Sequence, residues 1–177
     1  MNDSLKNYKD SNDVVSIHGY CYPDIKIQDN YFFLKGADCW GWATWKEKWS
    51  LYESNAMKLL VKLLLSPHKI YDFNFSIYGP YLKMLINTCM GNNNSWAIKW
   101  YTSAFLEGKL TLYPKHSFVF NSGLDNSGDH CNNTSNYDTN ISEDYIQVEN
   151  INIMENSEAR KEFNKFFKNL AYNKLKS

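Results

Sequence analysis

The chain has 177 residues and equal numbers of basic and acidic side chains, 19 of each, so its formal net charge is zero. This length is typical of one domain with a sizeable core. A neutral chain has no basic excess to neutralise phosphates, which argues against a nucleic-acid-binding protein. The N-terminus is polar and no apolar stretch is long enough to cross a membrane, so neither a signal peptide nor a transmembrane segment is expected.

The first part of the chain contains apolar runs separated by turn residues. Leu5 and Tyr8 share one face of a helix near the N-terminus. Apolar runs that end at turn residues predict two strands, and apolar residues at helical spacing predict two further helices. The predicted segments are a helix end at 2–9, strands at 13–18 and 31–34, and helices at 44–49 and 56–65.

The second part continues this mixture of helices and strands. The polar residues 92–95 are favoured helix N-caps, and the helix that follows carries a wide apolar stripe and ends at Gly108. The other predicted segments are a helix from Pro80, strands at 110–113 and 117–120, a polar loop at 123–140 and an amphipathic helix from Ser157. Helices and strands mixed at this spacing predict an α/β layered fold.

The cysteines indicate the redox compartment. Four widely spaced cysteines form no Cys-x-x-Cys pair and no zinc-ligand pattern. Disulfide frameworks usually belong to shorter secreted chains. We therefore expect reduced thiols, and the polar N-terminus without a membrane span favours cytoplasmic or host-cytosolic residence.

Tryptophan is concentrated in two short segments. Residues 36–49 contain four of the six tryptophans, and residues 95–101 contain Trp96 and Trp100. A side chain this large needs a core or a ligand surface against which to pack. Small residues between the rings of the first segment allow the backbone to approach another molecule closely. The composition predicts either a pocket wall or ordinary core packing.

Three polar residues are candidates for chemistry. Asp38, inside the first tryptophan segment, is interpreted as a base or an acceptor for sugar hydroxyls, or alternatively as the N-cap of a following helix. His18 ends a predicted strand, and strand ends in α/β sheets face binding crevices. His130 lies in the polar loop, where it is either a ligand for a divalent metal or a diphosphate, or a solvated surface residue.

Five segments together carry a family resemblance. They occur in the order IHGYCYP at 17–23, FFLKGADCWGWATW at 32–45, SWAIKWY at 95–101, LTLYP at 110–114 and GDHC at 128–131. In this order they resemble family 2-like glycosyltransferases. The resemblance covers residues 1–135 and implies a GT-A-type α/β fold, and residues 136–177 are expected to form a polar linker and a terminal amphipathic helix.

The resemblance implies a transferase of the hexosyltransferase type. Such enzymes move a sugar from a nucleotide-sugar donor to a hydroxyl of a glycan or glycoconjugate acceptor, usually with Mn²⁺ or Mg²⁺ on the diphosphate. It implies that Trp40, Gly41 and Trp42 line the sugar side of the cleft. Trp96 lies on the helix whose N-terminus holds the catalytic base in inverting members, and His130 is the expected contact for the metal.

Two departures from the family pattern modify this expectation. The Asp-x-Asp element that holds the metal is missing, so we expect a partial GT-A-like fold that lacks the N-terminal nucleotide-binding half. A second polypeptide would then supply that half of a truncated or split enzyme. Asn94 stands where an acid is expected, and an amide cannot take a proton from an acceptor hydroxyl. The alternative is a non-catalytic carbohydrate-binding or interaction remnant of such an enzyme.

Overall fold

The computed structural model describes residues 1–122, 135–143 and 147–176. Within these residues, four strands form one sheet and six α-helices pack around it, which confirms the predicted α/β class. The elements in chain order are α1 (Asn2–Asn7), β1 (Val14–His18), β2 (Tyr31–Lys35), β3 (Trp42–Thr44), α2 (Ala56–Leu64), α3 (Ile70–Phe73), α4 (Tyr81–Cys89), α5 (Trp96–Leu106), β4 (Leu110–Pro114) and α6 (Ser157–Lys176). Short 3-10 turns lie at Lys48–Leu51 and Pro67–Lys69.

The sheet has the strand order β2-β4-β1-β3. The central strands β1 and β4 are parallel, while β2 and β3 run antiparallel at the two edges. Every residue of β1 and β4 is buried, as is typical of strands that are covered on both faces. Because β1 and β4 are parallel, their carboxyl ends lie side by side, close to the tryptophan segment that follows β2.

Both faces of the sheet are covered. On one face, Tyr8 of α1 packs on Ile17, Phe33 and Leu112, with Ile151 at the border of this cluster. The opposite face packs against α2, α4, α5 and α6. This second core is largely aromatic, and burial of such large rings is a major stabilising contribution in a sheet of only four strands.

The helix α6 belongs to this aromatic core. Ala159, Phe163 and Phe167 are buried among residues of the sheet and of α4. The segment before α6 covers the outer edge of β2, where the Asn156 amide donates to the Phe33 carbonyl at 2.9 Å. The structure confirms the predicted terminal amphipathic helix, while the domain boundary placed at residue 135 stays a prediction.

Two local predictions are wrong. Residues 44–49 do not form an α-helix, because Thr44 ends an edge strand that pairs with β1 and only Lys48 and Trp49 enter a short 3-10 turn. Residues 117–120 do not form a strand. The Phe118 amide donates to the Gly19 carbonyl, and Ser117 accepts from the Ser142 and Cys21 amides, but these hydrogen bonds form no strand ladder.

The structure supports the fold class at the level of α/β, and the specific GT-A-like arrangement stays a prediction. In the described ranges, no helix is both long enough and apolar enough to span a membrane.

Candidate functional site

The loop between β2 and β3 carries the predicted site and depends on two glycines. Gly36 and Gly41 have φ values of 96° and 57°, in the region that favours glycine. A Cβ atom on Gly36 would overlap the ring of Tyr101, and one on Gly41 would lie within 2.6 Å of the Val119 side chain. The loop is therefore held against α5 on one side and against the segment after β4 on the other, with Asp38 between the two glycines.

The Asp38 carboxylate accepts hydrogen bonds from two tyrosine hydroxyls. Tyr81 on α4 donates to both of its oxygens at 2.9 and 3.1 Å, and Tyr113 on β4 donates at 2.8 Å. The hydroxyl of Tyr22 lies 3.0 Å from that of Tyr81 and extends this tyrosine–aspartate network. The N-cap interpretation of Asp38 is wrong, because the following segment is not a helix and the carboxylate binds hydroxyls instead of backbone amides.

The environment of Asp38 raises the pKa of its carboxyl towards neutral pH. Burial raises the pKa of the carboxyl to about 6, although the hydrogen bonds from Tyr113 and Tyr81 and the Arg160 guanidinium lower it. Burial also raises the pKa of Tyr81 and Tyr113 well above its usual value, so both hydroxyls stay protonated and donate. A carboxylate with a pKa near neutrality can exchange a proton with a hydroxyl, which is the property of a general acid or base.

His18 connects β1 to the same loop. Its Nδ1 donates to the Tyr20 carbonyl at 2.8 Å, and its Nε2 accepts from the Trp40 amide at 2.9 Å. Burial lowers the pKa of His18 to about 3, although the hydrogen bond to the Tyr20 carbonyl raises it, and the ring is therefore neutral at physiological pH. Because both ring nitrogens bind backbone groups, His18 positions the loop and offers neither nitrogen to a ligand.

Four of the six tryptophans form one group, whereas Trp40 lies apart and Trp45 packs on the opposite face of the sheet, where its Nε1 donates to the Leu5 carbonyl. Trp42, Trp49, Trp96 and Trp100 pack together, with ring centroids 4.9 Å apart for Trp49 and Trp100 and 5.6 Å apart for Trp42 and Trp96. Trp100 is fully buried beneath the others, whereas Trp96 and Trp49 are 45% and 37% exposed. We call the surface formed by Trp42, Trp49 and Trp96 the tryptophan platform.

Trp40 lies outside the platform. Its ring packs edge-on against Tyr20, with centroids 4.8 Å apart, and against Tyr137 at 5.6 Å. Gly41, with its positive φ, separates Trp40 from Trp42 and changes the direction of the chain before β3 begins. Trp40 and Trp42 therefore do not form the single wall that the resemblance implied. Trp40 contacts Tyr20 and Tyr137, whereas Trp42 belongs to the platform.

The N-terminus of α5 adjoins the platform. Ser95 caps the helix by accepting from the Ile98 amide, and Asn94 immediately before it is exposed. The Asn94 side-chain oxygen accepts from Lys99 Nζ at 3.3 Å. An exposed amide next to Trp96 can donate and accept hydrogen bonds, but it cannot remove a proton from a hydroxyl.

The structure does not describe the predicted metal contact. His130 is outside the described residues. Among the residues that the structure does describe, no group of three His, Cys, Asp or Glu side chains could hold a metal ion. The Mn²⁺ or Mg²⁺ implied by the resemblance therefore has no fitting ligand set in this part of the chain.

The three tyrosines of the network were not found from the sequence. Tyr22, Tyr81 and Tyr113 lie in different elements, and the hydrogen bonds from Tyr81 and Tyr113 span 43 and 75 residues to Asp38. No local pattern marks such partners. No protein family, curated protein or solved structure matches this chain.

Proposed function

We propose that this chain forms the acceptor side of a nucleotide-sugar-dependent glycosyltransferase, with the tryptophan platform as its sugar-binding surface. The observation that carries the proposal is the pair of exposed indoles, Trp96 and Trp49, beside the exposed amide of Asn94. Flat aromatic faces suit the C–H faces of a sugar ring, and an adjacent amide can bind its hydroxyls. The ordered motifs that resemble family 2-like glycosyltransferases support the same assignment.

In this proposal, Asp38 exchanges a proton with, or hydrogen-bonds to, a hydroxyl of the donor or acceptor. Its pKa of about 6 supports this role, because the carboxyl changes its charge close to neutral pH. The tyrosine hydroxyls of Tyr81 and Tyr113 hold the carboxylate in one orientation. Asp38 would then take the place of the acidic residue expected at position 94, where this chain has Asn94.

The proposal assigns the donor nucleotide and its divalent metal to groups outside the described residues. A nucleotide-binding half with an Asp-x-Asp element is the proposed partner, and His130 is the proposed contribution of this chain to the metal or the diphosphate. We place the complex in the cytoplasm. The free thiols of Cys21, Cys39 and Cys89 agree with a reducing compartment.

Glycan binding by the full chain tests the proposed platform. The six tryptophans provide an intrinsic fluorescence signal, so a glycan array can be followed by a fluorescence titration with the strongest-binding glycan. Trp96→Ala should weaken binding at least about tenfold, because it removes the more exposed of the two exposed rings of the platform. Tyr71→Ala, which removes an exposed aromatic ring outside the platform, should leave binding unchanged. Equal binding by the Trp96 variant and the unsubstituted chain would contradict the platform.

A second function, carbohydrate binding without turnover, is favoured by one observation, the amide at Asn94. Nucleotide-sugar consumption distinguishes the two functions in a preparation that contains the chain and any polypeptide that co-purifies with it from its native source. Sugar transfer that Asp38→Asn abolishes would support the transferase. Glycan binding with no consumption of any nucleotide sugar would support the non-catalytic protein.

A further inference from the structure

The charges of this neutral chain are distributed unevenly along its sequence. Residues 54–106, which include α2, α3, α4 and α5, contain five lysines and only one acidic residue, Asp72, for a net charge of +4. The remaining residues must therefore carry a net charge of −4, because the chain totals zero. We call residues 54–106 the basic helical region.

Helix α2 in this region is apolar on two sides. Leu59 and Leu63 point into the core and are buried. Met57, Val61, Leu64 and Leu65 are exposed, and Leu65 is 78% exposed. At about 100° per residue, these four positions lie within an arc of about 100° on the side of the helix away from the core. We call them the apolar stripe.

Lysines border the apolar stripe. Lys58 and Lys62 follow the first two stripe residues, Met57 and Val61, along α2, and both are exposed. Lys58 forms an ion pair with Glu53 at the start of the helix. Lys69 follows in the 3-10 turn after α2, and the stretch from 54 to 71 contains no Asp or Glu. An apolar surface with lysines along one edge, and with Glu53 as the one acid at the start of the helix, is electrostatically complementary to negatively charged lipid headgroups.

We propose that the apolar stripe of α2 and its lysines form a docking surface for an anionic lipid bilayer. The helix would lie in the plane of the interface, with the stripe inserted among the acyl chains and Lys62 at the headgroups. The attachment is peripheral, in agreement with the absence of a spanning helix in the described part of the chain. It is independent of the proposed sugar transfer, since Trp96 and Asp38 take no part in it.

Vesicle co-flotation of the full chain tests this surface. The chain should float with vesicles of phosphatidylcholine and phosphatidylglycerol, and it should stay unbound with phosphatidylcholine alone or at high salt. Leu65→Glu should weaken the partitioning at least about tenfold, because it removes apolar insertion and adds a repelled charge. Leu175→Glu is the matched control, since Leu175 on α6 is also highly exposed, and it should bind like the unsubstituted chain.

A second pair of variants tests the electrostatic part. Lys62→Glu should reduce binding to the anionic vesicles, whereas Lys161→Glu, an equal change of charge on α6, should have a much smaller effect. Circular dichroism and tryptophan fluorescence establish that each variant is folded. Failure of the folded chain to float with anionic vesicles, or equal losses within either pair, would overturn the proposal. Light scattering that shows a dimer broken by Leu65→Glu, without any vesicle binding, would also overturn it and assign the stripe to self-association.

Discussion

Asp38 lies in the β2–β3 loop and His18 lies beside it, and the pKa values of these two side chains are shifted in opposite directions. Burial lowers the pKa of His18 to about 3 and raises that of Asp38 to about 6. Both shifts favour the neutral form of the side chain, because the charged form of each is poorly solvated at this position. Both ring nitrogens of His18 form hydrogen bonds to backbone groups, whereas the Asp38 carboxyl can gain or lose a proton near physiological pH.

The buried His18 should make the protein sensitive to acid. Between about pH 6.5 and 3 the unfolded chain binds a proton at His18 that the folded chain does not bind, so the free energy of unfolding falls as the pH is lowered through this range. We expect His18→Gln to lower stability at pH 7 and to flatten this dependence. Urea unfolding at several pH values measures both effects. His68→Gln, at an exposed turn residue, should retain the profile of the unsubstituted chain, and a steep profile in the His18 variant would contradict this origin.

Asp38 has the opposite effect on how the free energy of unfolding depends on pH. Its folded pKa is raised, so protonation between about pH 6 and 4 favours the folded state, and this contribution is lost as the pH rises through 6. At pH 7 the buried carboxylate is charged although its site favours the neutral form, and Asp38→Asn keeps the shape and removes the charge, so we expect this variant to be at least as stable as the unsubstituted chain at pH 7.

Asp38→Ala is the informative contrast, because it removes the acceptor of the Tyr113 hydroxyl and leaves the Tyr81 hydroxyl only that of Tyr22 as a partner. Each unsatisfied buried hydroxyl costs about 1–3 kcal/mol. Chemical denaturation should therefore show a clear loss of stability for the alanine variant only. Equal losses in both variants would show that the network needs the charge. If Asp38→Asn folds normally, its sugar-transfer activity reports on chemistry alone.

At the scale of elements, the turn after β2 determines where the site lies. Gly36 and Gly108 both have positive φ, at 96° and 67°. Alanine at either position costs about 1–3 kcal/mol of backbone strain. Only at Gly36 would the added methyl meet a neighbour, the buried ring of Tyr101, whereas the space around Gly108 is open. We expect Gly36→Ala to cost about 1–3 kcal/mol more than Gly108→Ala in denaturant unfolding. Equal costs would show that the Tyr101 ring yields without penalty.

The success of sequence-based prediction differs between elements for a physical reason. β1 and β4 were predictable because each is a short, mostly apolar run between turn residues, as is typical of a strand buried on both faces. β3 was not predictable, because Trp42–Thr44 has only three residues and becomes a strand solely through pairing with β1. The same limit applies to the site, where Asp38 was recognised from its tryptophan neighbours and its tyrosine partners were not.

At the scale of the whole molecule, the aromatic core joins the sheet to the end of the chain. The ring of Phe163 on α6 lies 6.0 Å from that of Phe32 and 5.7 Å from that of Tyr113, and it packs at 5.0 Å against Tyr22 of the network. Residues on both sides of position 135 therefore share one buried cluster. A cluster of this kind predicts a single cooperative transition on unfolding.

Phe163→Ala tests this directly, because all six tryptophans lie between residues 40 and 100 and report on the part of the chain before α6. Removing the fully buried ring should cost about 3–5 kcal/mol. If α6 and the sheet unfold together, the tryptophan fluorescence transition should move to lower denaturant by that amount and coincide with the loss of helical circular dichroism. Leu175→Ala, at an exposed position of α6, should shift neither signal by more than about 0.5 kcal/mol. A fluorescence transition unaffected by Phe163→Ala would instead support a separate unit after residue 135.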